Sequence, residues 1–86
     1  MERNLAMARR IARMAEKAGG RVYFVGGFVR DGVMGRESKD VDIEIHGMTA
    51  DAVRGMLSEI GPWKEMGASF GVFALRGYTL DIALPR

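Results

Sequence analysis

Apolar residues recur at helical spacing at the start of the chain and at strand spacing soon after. Leu5, Ala8, Ile11, Ala12, Ala15 and Ala18 stand three or four residues apart or side by side. They form the apolar stripe of a helix over residues 4–18. Asn4 is placed as its N-cap and Gly19-Gly20 as its stop. Residues 21–25, RVYFV, read as a buried strand. A helix of about two turns is expected from Phe28 to Met34, ended by Gly35. A polar linker, Arg36 to Lys39, leads to a strand over residues 40–45. Thr49 then caps a helix running to Ile60, with Ala52, Val53, Met56, Leu57 and Ile60 on its apolar side and Gly61-Pro62 as its stop. Trp63 to Met66 is expected as a short strand and residues 67–69 as a turn. Phe70 to Leu75 and Tyr78 to Leu84 form a hairpin around Arg76-Gly77. Mixed strands and helices ending in a hairpin point to an α+β domain rather than a doubly wound parallel sheet.

The strand over residues 40–45 carries the first chemical signal. Asp40, Asp42 and Glu44 alternate with Val41, Ile43 and Ile45. Successive strand side chains point to opposite faces, so the acids share one face and the apolar residues the other. Like charges in a row destabilise a sheet unless something compensates them. A divalent cation does so, because hard cations such as Mg²⁺ take carboxylate oxygens and substrate phosphates together. Gly26-Gly27, between a strand and a helix, offers backbone N–H groups to an anion. Arg30, one turn further, suits phosphate contact. The ordinary alternatives are an amphipathic edge strand with a solvated acidic face, a tight turn, and an Arg30–Asp31 ion pair.

GGFVRDGVMGRESKDVDIEI resembles the head-domain signature of class II tRNA nucleotidyltransferases (CCA-adding enzymes) and bacterial poly(A) polymerases. That family reads Gly-Gly-x-x-Arg-Asp, a short linker, then Asp-x-Asp within an apolar strand. Gly26, Gly27, Arg30, Asp31, Lys39, Asp40 and Asp42 fall on the pattern. Further on, GASFGVFAL resembles the family's Phe-Gly strand, with Ser69, Phe70 and Gly71 near the nucleotide, and LDIALPR the strand with its third active-site carboxylate.

The resemblance implies a polymerase-beta-like nucleotidyltransferase fold: a mixed, mostly antiparallel sheet of about five strands with helices packed on one side. It implies metal-dependent transfer of a nucleoside monophosphate from ATP or CTP to an RNA 3′ end, tRNA in the family, with release of pyrophosphate. The catalytic and metal-binding residues are then Asp40, Asp42 and Asp81, with Mg²⁺ or Mn²⁺ as cofactor. One metal would activate the 3′-hydroxyl and a second would bind the triphosphate. Gly26, Gly27, Arg30 and Lys39 would hold the nucleotide phosphates, and Asp31, Glu44 and Ser69 would support the site. Asp81 joins the set if its strand neighbours the acidic one; otherwise it is an ordinary solvent-facing residue. Partners are a nucleoside triphosphate and an RNA 3′ end.

Family members continue past this point into helical neck, body and tail regions that select the base and hold tRNA. None of that follows Arg86 in this sequence. Residues 1–86 are therefore expected to be a single nucleotidyltransferase head domain: a cut-out domain, a degenerate relative or one part of a split enzyme. The alternatives are a non-catalytic nucleotide-binding or assembly module that keeps the fold, or a minimal nucleotidyltransferase acting on a protein or a small molecule. A missing neck would also leave some apolar surface bare near the hairpin, with Phe73, Leu75, Leu80, Ile82 and Leu84 as candidates although most of them must still serve the core, and an unpaired edge at the last strand. A homo-oligomer, or a neck or body partner, is expected to cover it.

Composition alters this picture little. The 86 residues are 48% apolar and 28% charged, as in a globular domain toward the small end for independent folding. No apolar run approaches the ~20 residues of a membrane span, and MERNLAMARR lacks the apolar core of a secretory signal. Without cysteine there is no disulfide framework or thiolate site, which fits a reducing cytoplasm. The net charge is +2, but Arg3, Arg9, Arg10, Arg13 and Lys17 crowd the first helix. That face is open between RNA-backbone attraction and simple solvation. His46, the one histidine, lacks zinc-site spacing and is assigned no chemistry.

Overall fold

The computed structural model describes residues 3–25, 41–66 and 71–85. In chain order the elements are α1 (Arg3–Lys17), β1 (Arg21–Val25), β2 (Val41–His46), α2 (Ala50–Ile60), β3 (Trp63–Met66), β4 (Val72–Leu75) and β5 (Leu80–Ala83). The helix expected between Phe28 and Met34 and the turn at 67–69 lie outside the described residues.

The strands form one five-stranded sheet in the order β1-β2-β5-β4-β3. Neighbours pair antiparallel except β2 and β5, which run parallel. The mixed, mostly antiparallel α+β architecture expected from the sequence is the one observed. A parallel pair needs a crossover, and here α2, β3 and β4 supply it.

The core lies between one face of the sheet and the two helices. Val41, Ile43 and Ile45 of β2, Leu80 and Ile82 of β5, and Phe73 and Leu75 of β4 supply the sheet side. Met7, Ala8, Ile11 and Ala15 of α1 and Val53, Met56 and Leu57 of α2 close it from above. Ala8 and Ala15 are fully buried, and their small side chains let the α1 backbone come close to β1 and β2. The buried stripe of α1 thus runs through Asn4 and Met7 rather than through Leu5, Ala12 and Ala18. Among alanine-rich positions, a flexible methionine at the right angle fills the gap better.

Asn4 does not cap α1. It lies inside the helix, 8% exposed, and its side chain reaches across the fold to the strand pair β4–β5. Its Nδ2 donates to Thr79 Oγ1 at 2.5 Å, and its Oδ1 accepts from the Thr79 N–H at 3.0 Å. A buried amide needs such partners. Arg3 adds a bond to the Gly77 carbonyl and stands 4.3 Å above the Tyr78 ring.

The end of α1 follows the expected glycines. Gly19 takes φ +90°, and its N–H donates to the Glu16 carbonyl while that of Gly20 donates to the Ala15 carbonyl. This pattern satisfies the last carbonyls of a helix and favours a residue without Cβ. Thr49 caps α2 as expected, its Oγ1 accepting from the Ala52 N–H at 3.1 Å. Arg54 of α2 ties down β3: Nε and Nη2 donate to the two Glu65 oxygens at 3.0 and 3.1 Å, and Nη1 to Asp51 at 2.6 Å.

Three further expectations need correction. First, β1 is a half-exposed edge strand, not a buried one, because β2 alone pairs with it. Second, the last strand has no free edge, since β5 sits between β2 and β4. Third, Phe73, Leu75, Leu80 and Ile82 are core residues at 0–3% exposure, and Leu84 packs against them. The bare apolar patch expected at the hairpin is taken up by the domain's own helices.

Candidate active site on the open face of the sheet

Alternation fixes which side chains reach the open face of the sheet, the one that no described helix covers. Because Val41, Ile43 and Ile45 turn inward, Asp42, Glu44 and His46 turn outward. In β5, Leu80 and Ile82 turn inward and Asp81 outward. The parallel register makes Asp42 and Asp81 direct partners, on strands about 4.8 Å apart. The strand of Asp81 is the immediate neighbour of the acidic one.

Oxygen-only donors suit a hard cation such as Mg²⁺ or Mn²⁺, and on that chemistry Asp42 and Asp81 fit the expected metal. Among the described residues no third potential ligand completes a cluster with them. Asp40, Gly26, Gly27, Arg30, Asp31, Lys39 and Ser69 lie outside the described residues. Antiparallel pairing of β1 with β2 sets Val25 opposite Asp42. The chain therefore leaves β1 beside Asp42.

Glu44 has a defined partner. Its Oε1 lies 2.7 Å from His46 Nε2, and both side chains are partly exposed. Tyr23 of β1, directly opposite Glu44, meets the His46 ring edge-on at 4.9 Å between centroids and 77° between planes. The open face thus carries an acid pair and, one step along, a linked Tyr23–His46–Glu44 group. Sequence reasoning gave His46 no chemistry and did not single out Tyr23. The alternation from Asp42 through Glu44 already put His46 on this face. The Tyr23 position depended on a β1–β2 register that no turn motif announced.

The other ionic cluster serves the fold. Arg54 carries a raised pKa, first through its hydrogen bond with Glu65 and then through the charges of Glu65 and Asp51. It lies on the helix side of the sheet, away from the acid pair. A groove of about 440 Å³ between Pro62, Trp63, Lys64, Arg76 and Tyr78 has no acidic lining residue, so it offers nothing to a hard cation. Among the described residues no helix is long and apolar enough to cross a membrane.

Comparison with known proteins agrees with the fold. A family model described as the poly A polymerase head domain matches residues 22–83. A CCA-adding enzyme of Levilactobacillus brevis is 54% identical over 37 residues, which cover 43% of this chain and 9% of that protein. A solved structure, the complex of a CCA-adding enzyme with CTP, superposes with a TM-score of 0.67 at 28% identity. The match takes in 93% of this chain and 20% of that one. The chain accordingly spans a small part of the length of both relatives.

Proposed function

The chain belongs to the poly(A) polymerase head-domain family, and from that premise we propose that it carries the phosphoryl-transfer site of an RNA nucleotidyltransferase. The observation that carries this reading is the pairing of Asp42 with Asp81 on the open face. The reaction is attack of an RNA 3′-hydroxyl oxygen on the α-phosphorus of ATP or CTP. The new bond is a phosphodiester, the bond to the β-phosphate breaks, and pyrophosphate leaves. The acceptor is tRNA, in line with the CCA-adding relatives, and the setting is the cytoplasm.

Asp42 and Asp81, together with Asp40, would hold Mg²⁺. When bound, the ion supplies charge neutralisation on the triphosphate and a more acidic 3′-hydroxyl. Asp81, on the side of Asp42 away from β1, accepts the hydroxyl proton. Gly26 and Gly27 meet phosphate oxygens through backbone N–H groups, and Arg30 and Lys39 add positive charge there. Asp31 and Ser69 orient these groups. The apolar layer of Val41, Ile43, Leu80 and Ile82 beneath fixes the two carboxylates on rigid strands.

A transfer assay tests the reading. Purified protein, Mg²⁺, labelled ATP or CTP and tRNA lacking its last nucleotides should give labelled tRNA and pyrophosphate. Labelling of the protein itself, or no labelling under any metal, would contradict it.

A further inference from the structure

The open face holds more than the acid pair. Tyr23 is the exposed large hydrophobic residue among those described, at 46%. A single exposed aromatic is common on any surface and needs no explanation by itself. This one differs in being fixed. His46 braces its ring edge-on at 4.9 Å, and Glu44 holds His46 at 2.7 Å. Three side chains from two strands thus spend their contacts on orienting one exposed ring. A ring oriented in advance loses little entropy when something stacks on it.

Its position gives the ring a ligand class. Val25 stands opposite Asp42, Tyr23 opposite Glu44 and Arg21 opposite His46. Moving away from the acid pair, the face presents carboxylates, then an aromatic, then a guanidinium, at steps of about 6.8 Å. Arg21 is exposed, and no described carboxylate pairs with it. A single strand of nucleic acid has the same sequence of needs: a reacting end, an unpaired base with a π-face, and the next backbone phosphate. Aromatics on a sheet surface are a recurrent platform for unpaired RNA bases.

We propose that Tyr23, braced by His46 and Glu44, stacks an unpaired base next to the 3′ end of the acceptor RNA, with Arg21 on the adjoining phosphate. The proposal rests on the nucleotidyl-transfer reading for the direction of the strand. The incoming nucleotide has one base and a triphosphate, and its charge belongs beside the acid pair rather than at Arg21.

Binding without nucleotide separates this proposal from the transfer reading. A labelled short single-stranded RNA is titrated with wild type, Tyr23→Ala and Tyr23→Phe, and anisotropy is followed. Loss of one stacked base should weaken binding roughly 5- to 150-fold in Tyr23→Ala, while Tyr23→Phe stays close to wild type. In the transfer assay, Tyr23→Ala should raise KM for RNA and leave KM for the nucleoside triphosphate unchanged. Equal RNA binding by wild type and Tyr23→Ala would overturn the proposal, as would absence of binding by wild type. A rise in the triphosphate KM alone would also overturn it, by assigning the ring to the incoming base. Absence of transfer by a wild type that binds RNA through Tyr23 would sink the reaction and leave the platform standing. Melting curves of both variants verify the fold.

Discussion

Asp42 and Asp81 stand opposite each other across the sheet's parallel strand pair, outward-facing residues on two strands whose inward side chains are core. The pairing comes from a crossover of more than thirty residues, so no local turn creates it. Two adjacent carboxylates above a buried apolar layer present the oxygen donors that suit a hard cation.

Metal binding should show directly in stability. Mg²⁺ or Mn²⁺ bound by the folded state alone raises the melting temperature, and at a hundredfold excess over Kd the gain is about 2.7 kcal/mol. Asp42→Asn combined with Asp81→Asn should remove that rise. A metal response that survives in the double variant would move the site elsewhere.

The tie between α1 and the β4–β5 pair rests on Asn4. Asn4→Ala removes both bonds to Thr79 and should cost about 1–3 kcal/mol, because a partly buried N–H loses its acceptor. Urea denaturation measures this, and a loss below about 0.5 kcal/mol would show that water replaces the amide freely.

Two glycines should respond in opposite directions to alanine. A Cβ on Gly20 would meet Met48 Cγ at 2.7 Å and the His46 carbonyl oxygen at 3.0 Å, so Gly20→Ala should destabilise by about 1–3 kcal/mol. Gly55 lies in α2 with nothing near a Cβ, and Gly55→Ala should stabilise by roughly 0.5–1 kcal/mol. Denaturation midpoints that move the same way in both would contradict the packing between Gly20 and the turn after β2.

Arg54 carries a prediction about pH and salt. Its pKa is raised in the fold, so its contribution is fully present below the ordinary guanidinium value. The contribution is lost only as pH rises through the higher folded value. Between neutral pH and pH 10 the Arg54 charge should therefore leave stability unchanged. Arg54→Met should lower the melting temperature, and the difference should shrink at high salt, since the side chain is about a third exposed. A difference that grows with salt would mean that packing over Phe73, not charge, holds the pair.

Much of this was written locally. The alternation of Asp42 and Glu44 with Val41, Ile43 and Ile45 announced both faces of β2, and Thr49, Gly19 and Gly20 announced helix ends. These features depend on residues a few positions apart. What failed depended on distant partners. The edge position of β1, the central place of β5 and the bond from Asn4 to Thr79, 75 positions away, follow from strand order. Which of the hairpin residues Phe73, Leu75, Leu80 and Ile82 serve the core could not be read until the two helices above them were placed. Tyr23 and His46 stayed unnoticed for the same reason: their contact joins two strands whose register the sequence does not spell out.

The most direct measurement concerns Asp81, the residue whose proposed role rests on the β2–β5 register. Asp81→Asn keeps the shape and removes the charge of an exposed side chain. In the RNA transfer assay, with melting temperature as a control for folding, the variant should lose at least about a hundredfold in rate while melting like wild type or slightly higher. Transfer by the folded variant at the wild-type rate would contradict the account.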